Sequence, residues 1–128
     1  MAASDCRYLE THEWARKEDE CYAIGISHVA VRELSDLVFV DLPEVGRTVI
    51  KGEAFGEVES VKAVSDLLCP LSGEIVAVNA ELPDQLEQLS QDPYGQGWLI
   101  KVKTDGDAEF EGLLAVEEYT ELVAEDGH

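Results

Sequence analysis

The chain has 128 residues, a length that favours one domain and leaves no room for two well-formed cores. Hydrophobic residues make up 45% of it, an ordinary globular fraction that argues against wholesale disorder. The charge is far from ordinary, because 28 Asp and Glu stand against 9 Lys and Arg, which gives a net charge of −19. Such a surface repels phosphate groups, so nucleic acids and anionic membranes are poor partners for it.

The three cysteines, Cys6, Cys21 and Cys69, are odd in number and widely spaced. Because no Cys-x-x-Cys pair occurs, the sequence predicts neither a disulfide framework nor a zinc site and favours a reducing compartment. The N-terminal residues lack the apolar core of a signal peptide, and apolar runs such as 37–40 have the length of a strand. We therefore expect a cytoplasmic protein with no membrane segment.

Short strands and turns dominate the first part of the chain. A hairpin is predicted from strands at 12–16 and 21–26, which flank the polar segment 17–20. Ser27 has the character of a helix N-cap and precedes a short predicted helix at 28–34. A buried strand at 36–42 ends at Pro43 and a turn at 44–46, and further strands are predicted at 48–50, 54–61, 64–68 and 73–78.

The second part of the chain adds helices. Residues 82–89 predict a short helix, 92–95 a turn and 98–103 the last strand. Asp107 is expected to cap a helix at 108–114, and a final helix at 116–124 carries an apolar stripe of Val116, Tyr119, Leu122 and Val123. No Lys or Arg occurs after Lys103 among the many acids, which is typical of a solvated helix face and, less often, of a docking surface.

Two weakly similar segments lie on either side of one lysine. The segment 52–58 resembles 73–78 at an offset of 21 residues, which suggests two similar hairpin units facing each other around residues 59–66. Between them, Glu59-Ser60-Val61-Lys62-Ala63-Val64-Ser65-Asp66 places Lys62 at a predicted hairpin tip, projecting into solvent. From spacing alone, an ordinary surface lysine is the favoured interpretation.

Four separated motifs favour a functional role for Lys62 instead. Glu59-Ser60-Val61-Lys62-Ala63, with Gly73 eleven positions after Lys62, resembles the lipoylation signature of lipoyl-carrier domains. The motifs Thr11-His12-Glu13-Trp14, 38–46 and 92–99 resemble one branch of these domains, the H protein family of the glycine cleavage system. Biotin carriers are disfavoured because Val61 and Ala63, rather than methionines, flank Lys62. Lipoyl domains of 2-oxo acid dehydrogenase complexes lack the His-Glu-Trp and Pro-Tyr-Gly motifs.

The resemblance implies a mainly β fold, a barrel-sandwich hybrid of two small antiparallel sheets with short helices, including C-terminal ones. Residues 1–128 would form a single lipoyl-carrier domain whose family-like core runs from about 8 to 122. Lys62 would carry an amide-linked lipoyl group, and Glu59 and Gly73 would help to present it to a lipoylating enzyme. The partners implied are a pyridoxal-phosphate glycine decarboxylase, an aminomethyl transferase and a dihydrolipoyl dehydrogenase, and the chain itself would be a carrier and not an enzyme.

A groove for the loaded arm is also implied. Glu13 and Asp66 match the family positions that would hold the cationic aminomethyl nitrogen through charge-assisted hydrogen bonds. Excluding water there would slow loss of the aminomethyl group. The alternative interpretation of both residues is as plain surface carboxylates, in a chain with 28 acids.

Several departures from the family pattern leave the cargo open. His28-Val29 stands where an acid or amide and an aromatic residue are usual, Ser35 replaces a glycine, and Cys69 replaces a serine. We expect these residues to lie near the arm and its groove, with His28 remodelling it. The alternative cargo is therefore sulfur, carried for a heterodisulfide-reductase-like complex in the manner of the H-like lipoate-binding proteins of sulfur oxidation.

The remaining chemistry-bearing residues predict no site. Ser27 and His28 lack a partner that would complete a hydrolase triad, and His12, Cys21 and His28 lack metal-ligand spacing. Tyr94 and the two tryptophans, Trp14 and Trp98, are expected in the core or at a partner contact.

Overall fold

The computed structural model describes residues 6–18, 20–34, 36–106 and 108–125. Two antiparallel sheets form its framework. Within those ranges the strands are β1 Cys6–Tyr8, β2 Glu13–Lys17, β3 Tyr22–Ile26, β4 Leu37–Asp41, β5 Thr48–Val49, β6 Ala54–Ser60, β7 Val64–Leu68, β8 Gly73–Val78 and β9 Ile100–Lys103. The six-stranded sheet has the order β1-β2-β3-β9-β8-β5, and the three-stranded sheet has the order β4-β6-β7. This arrangement confirms the predicted fold class.

Four short α-helices complete the described part of the chain: α1 His28–Leu34, α2 Glu87–Gln91, α3 Ala108–Glu111 and α4 Val116–Glu125. Ser27 caps α1 as predicted, because its hydroxyl oxygen accepts the N–H of Ala30 at 3.4 Å. Glu118 accepts the N–H of Ala115 at 2.9 Å and so satisfies a donor at the start of α4. None of the helices in the described ranges is long and apolar enough to cross a membrane.

Side-chain alternation along β2 and β3 separates two buried clusters. Ala15 and Ile24 face the main core, where the two sheets meet. Trp14 and Ala23 point to the opposite face, where Tyr119 of α4 packs with them. The indole N–H of Trp14 donates to the carbonyl of Ile26 at 3.0 Å, and a Cβ on Gly25 would stand only 2.6 Å from the ring. The six-stranded sheet is therefore covered on both faces near the His-Glu-Trp segment.

The boundaries and burial of some predicted elements were wrong. Strand β4 is largely exposed rather than buried, with Val38 and Phe39 about half accessible and Val40 in the core. The predicted helix at 82–89 is split into a 3₁₀ turn, Leu82–Asp84, and α2. Helix α3 ends at Glu111 instead of 114, and Leu114 pairs with Tyr8 of β1, a strand that the sequence pattern missed. The expected cap Asp107 lies outside the described residues.

The two segments that resemble each other in sequence, 52–58 and 73–78, lie in different sheets. Segment 52–58 leads into β6 of the three-stranded sheet, and 73–78 forms β8 of the six-stranded sheet. Phe55 and Val58 from β6 and Ile75 from β8 are buried in the same core. The segment between them holds the hairpin of β6 and β7, whose tip contains Lys62.

Candidate functional site

The turn that carries Lys62 is held firmly by its own backbone. Glu59 pairs with Val64 at the last rung of the β6–β7 ladder, and the N–H of Ser60 donates to the carbonyl of Ala63 at 2.8 Å. The Ser60 hydroxyl oxygen accepts the N–H groups of Lys62 and Ala63 at 3.3 and 3.2 Å. The Lys62 side chain is exposed, as predicted, and projects from a turn held by these hydrogen bonds.

A groove of about 380 Å³ lies beside this turn, between the exposed edge of the three-stranded sheet, helix α1 and the chain that enters β2. Its walls combine apolar side chains with carboxylates, a pattern typical of small-molecule sites. The residues that line it are Thr11, His12, Glu13, Ile26, Ala30, Glu33, Leu34, Val58, Lys62, Ala63, Ser65, Asp66, Leu67 and Leu68. The structure thus brings together Lys62, Glu13 and Asp66, three of the residues singled out in the sequence.

Glu13 is the most unusual of the lining residues, because it is a charged residue of which only 2% is exposed. One carboxylate oxygen accepts the Thr11 hydroxyl, and the other accepts the N–H of Leu68 in β7 at 2.7 Å. Burial raises the pKa of this carboxyl above its ordinary value, while those two hydrogen bonds oppose part of the rise. Each oxygen retains a lone pair. The site therefore favours a cation beside Glu13, which would compensate the buried charge.

Two further carboxylates, Asp66 and Glu33, line the same groove. Asp66 lies on β7, two residues before the Leu68 N–H that Glu13 accepts. Glu33 lies on α1, with a carboxylate oxygen 3.8 Å from Nε2 of His12. A groove with three carboxylates suits a cationic ligand and disfavours an anionic one.

His12 connects the groove to the C-terminal helix. Its backbone has φ of +85°, a left-handed conformation that is uncommon for a residue other than glycine. The carbonyl of His12 accepts the N–H of Ser27 at 2.8 Å, and ring Nδ1 lies 2.6 Å from the Tyr119 hydroxyl. Because that hydroxyl is also 2.7 Å from Ser27 Oγ, α4 holds both the groove wall and the start of α1.

His28 does not belong to this groove, so its predicted placement there was wrong. Its Nδ1 lies 2.9 Å from the Tyr94 hydroxyl, and it lines a separate depression with Arg32, Asp36 and Ser90. Burial and the neighbouring Arg32 lower the pKa of the His28 imidazole, which favours the neutral ring. Helix α1 instead presents Ala30 to the groove.

The other family departures also lie away from the groove lining. Val29 and Cys69 are buried in the interior, and Ser35 lies outside the described residues. The Cys69 thiol contacts the carbonyl oxygen of Leu71 at 3.0 Å, and burial raises its pKa to about 11, so it is a poor nucleophile. None of the side chains of His28, Val29 and Cys69 lines the groove, although Val29 and Cys69 adjoin Ala30 and Leu68, which do.

Glu59 and Gly73, the two residues predicted to take part in recognition by a lipoylating enzyme, lie in different sheets. Glu59 is half-buried on β6, three residues before Lys62. Gly73 begins β8, where an added Cβ would stand 2.2 Å from the carbonyl oxygen of Lys103. The close pairing of β8 with β9 thus explains why a residue without a side chain stands at position 73.

Sequence reasoning missed Thr11, His12 and Glu33 as groove residues. Thr11 and His12 directly precede Glu13, and a predicted turn at these two residues could have placed them beside it. The third follows Ala30 at a spacing of three, which places both on one face of a helix. Trp14, predicted to lie in the core, is fully buried, and Tyr94 is nearly so.

Two packed antiparallel sheets, with an exposed lysine at a hairpin tip, are the arrangement that the sequence predicted for a small carrier protein. The comparisons identify the branch. The family model described as glycine cleavage H-protein matches residues 6–126. A probable glycine cleavage system H protein of Aeropyrum pernix is 54% identical over 96% of this chain and 86% of its own length. The glycine cleavage system H protein of Synechococcus sp. (strain JA-2-3B'a(2-13)) is 52% identical over 94% of this chain and 93% of its own.

A solved structure agrees with these relatives. The crystal structure of a glycine cleavage system H protein from Mycobacterium marinum matches with a TM-score of 0.86 and 43% identity, over 99% of this chain and 100% of the other. The chain belongs to the glycine cleavage H-protein family, as the sequence predicted. It is a carrier component and not itself a catalyst, and the sulfur-oxidation alternative is not favoured.

Proposed function

We propose that Lys62 carries a lipoyl group through an amide bond, and that the chain, as one carrier domain over residues 1–128, transports the aminomethyl group of glycine cleavage. The observation that carries this proposal is that the exposed Lys62 amine and the buried Glu13 carboxylate share one groove. The ε-amino nitrogen would attack the activated carboxyl carbon of lipoate, lose a proton and displace the activating group. When bound, the lipoyl group supplies a dithiolane whose sulfur can carry the cargo.

The residues of the groove suit a protonated aminomethyl nitrogen. Glu13 and Asp66 offer carboxylate oxygens from two different strands, which would hold the cation between them. The apolar side chains of Ile26, Leu34 and Val58 would keep water from the bound arm. A neutral or anionic sulfur adduct would gain nothing from these carboxylates.

The partners follow from the same proposal. A lipoylating enzyme would load the arm, and a pyridoxal-phosphate glycine decarboxylase, an aminomethyl transferase and a dihydrolipoyl dehydrogenase would act on it in turn. Because the groove lies beside the turn, the arm would rest there between visits and leave it to enter each enzyme.

The experiment compares wild type with Lys62→Arg and with Lys51→Arg, a matched change at another exposed lysine. After incubation with lipoate, ATP and a lipoylating enzyme, intact mass should rise by one lipoyl group in wild type and Lys51→Arg, and not in Lys62→Arg. The lipoylated protein should then support exchange of labelled bicarbonate into glycine by a glycine decarboxylase. Modification of Lys62→Arg would contradict the attachment site, and lipoylation without exchange would contradict the cargo.

A further inference from the structure

The outer face of the three-stranded sheet carries two rows of side chains that run across all three strands. The register places Asp41 opposite Glu57 and Glu57 opposite Asp66, which makes a row of three carboxylates. Phe39, Glu59 and Val64 form the second row, one step nearer the Lys62 turn. The alternate side chains, Val40, Val58 and Leu67, are buried on the inner face. We call the outer face, with these two rows, the tip-proximal face.

Folding gives no reason for the carboxylate row. Like charges directly opposite each other on neighbouring strands destabilise a sheet. The three strands, all within the described ranges, carry four carboxylates and no Lys or Arg. In the described part of the chain no Lys or Arg forms an ion pair with any member of the row. Arg47 approaches only the carbonyl of Ala54, at the far end of β6, at 3.5 Å.

The apolar row is equally unexplained by folding. Phe39 is 46% exposed and Val64 58%, and Val61 in the adjoining turn is 69% exposed. Phe39 and Val64 flank Glu59 on the two neighbouring strands, so exposed apolar side chains and a carboxylate alternate beside the turn, a mixture that a partner protein could contact. The position matters, because any enzyme that acts on the Lys62 amine must approach the turn that this face adjoins.

Charge is distributed unevenly between the two sheets. Strands β1, β2 and β9 of the six-stranded sheet carry five of the nine Lys and Arg: Arg7, Arg16, Lys17, Lys101 and Lys103. Among the strands, those of the tip-proximal face are thus the acidic ones, while helices α3 and α4 are acidic as well and carry no Lys or Arg. The local field of the carboxylate row would attract a positively charged partner.

We propose that the tip-proximal face is the docking surface for the lipoylating enzyme, and that this enzyme meets it with an apolar patch bordered by Lys or Arg side chains. The inference rests on the proposed lipoylation of Lys62. Glu59 pairs with Phe39 and Val64 and lies three residues before Lys62, so an enzyme that reaches the lysine would contact this row and the carboxylate row next to it. A second copy of the chain does not fit the face, because its own carboxylate row would repel an identical one.

The test measures lipoylation kinetics with purified lipoylating enzyme, lipoate and ATP, at varied concentrations of the unmodified carrier. The double variant Asp41→Asn/Glu57→Gln should raise KM for the carrier about tenfold at low salt, with little change in kcat. Phe39→Ser should raise KM as well. The matched control is Glu117→Gln/Glu121→Gln on α4, which removes the same charge from exposed positions elsewhere and should leave KM unchanged.

Stability separates docking from a structural role. Because it relieves like-charge contacts, Asp41→Asn/Glu57→Gln should unfold at an equal or higher temperature than wild type while it binds more weakly. Equal KM for the double variant and the α4 control would overturn the docking proposal alone, since wild type would still be lipoylated. Absence of lipoylation in wild type would overturn the proposed function and the docking surface together. A wild-type dimer in sedimentation that the Phe39→Ser variant abolishes would assign the face to self-association instead.

Discussion

At the scale of single residues, Glu13 combines two properties that ordinarily oppose each other. Its carboxylate joins β2 to β7 by accepting the N–H of Leu68, and so helps to hold the two sheets beside the groove. Its burial nevertheless makes the ionised form costly, as the raised pKa records. The same residue thus fixes the geometry of the groove and creates a demand for a positive charge inside it.

That cost predicts a pH-dependent difference between wild type and Glu13→Gln. The pKa of Glu13 is higher in the folded chain than in the unfolded chain. Its contribution to the free energy of unfolding is therefore greatest at pH values below the ordinary pKa, and it is lost as the pH rises through the raised pKa. Glutamine resembles the protonated acid and does not titrate. The free energy of unfolding of the variant, minus that of wild type, should therefore increase as the pH rises above about 4, the ordinary pKa of a glutamate.

Denaturant unfolding at a series of pH values measures this difference. Glu10→Gln is a suitable control, because Glu10 is exposed. A difference that is constant across the series would mean that Glu13 has the same pKa in the folded and unfolded chains.

The close surroundings of Gly73 predict a packing role for this residue. A side chain at this position would meet the Lys103 carbonyl oxygen at 2.2 Å and Val102 Cγ1 at 2.7 Å. Gly73→Ala should lower the free energy of unfolding by about 1–3 kcal/mol, as overpacking does, and leave the lipoylation rate per folded molecule unchanged. Gly106→Ala is the control, since nothing lies within 4 Å of a Cβ there. Full stability with lost lipoylation would instead make Gly73 a direct recognition residue.

At the scale of secondary-structure elements, helix α4 supports the groove from behind. Tyr119 stacks on Tyr8 of β1 with ring centroids 4.1 Å apart, and its hydroxyl reaches both His12 and Ser27. Burial raises the pKa of this phenol to about 12, so it is neutral and able to donate at physiological pH. The helix therefore fixes a groove residue through hydrogen bonds as well as through packing.

Two substitutions separate these contributions. Tyr119→Phe keeps the ring and removes the hydroxyl, so it should cost about 1–3 kcal/mol of unfolding free energy for the hydrogen bonds lost. Tyr119→Ala also removes the stacked ring and should cost about 3–5 kcal/mol. Chemical denaturation measures both. If the two variants were equally stable, the ring stack would contribute nothing to the docking of α4.

Sequence patterns predicted local elements well and their surroundings less well. The β6–β7 hairpin and the Ser27 cap depend on residues close in the chain, and both were found. Strand β1 has three residues, too few for alternation to register. The ring of His28 binds Tyr94, which is 66 positions away, so its direction depended on a contact that no local pattern contains. The apolar run at 37–40 predicted burial, whereas Val38 and Phe39 lie on an outer face.

At the scale of the whole molecule, the net charge of −19 opposes folding through repulsion among surface carboxylates. Few ion pairs offset it: within the described residues, Lys101 and Arg16 both contact Glu18, at 2.9 and 3.3 Å. These contacts lower the pKa of the Glu18 carboxyl against the opposing effect of its partial burial. The stability of the chain should thus depend strongly on ionic strength.

Added salt should therefore raise the melting temperature. Increasing the concentration of sodium chloride from about 0.01 M to about 0.5 M shortens the range of charge repulsion from tens of ångströms to a few. Thermal unfolding followed by circular dichroism measures the shift. Choline chloride at equal ionic strength is the control for specific ion binding, and it should give the same rise. A fall in melting temperature would show that attractive pairs outweigh the repulsion.

The stiff turn that carries Lys62 has a consequence for how tightly the groove must bind. Ser60 and Ala63 fix the turn by hydrogen bonds, and the N–H of Val61 donates to the Asp36 carbonyl at 3.0 Å. A group tethered there meets the adjacent groove at an effective concentration in the millimolar range. Groove binding of a lipoyl arm attached to Lys62 would therefore be intramolecular. A dissociation constant near 1 mM for an untethered lipoamide would then suffice for the arm to occupy the groove about half of the time and still leave it readily.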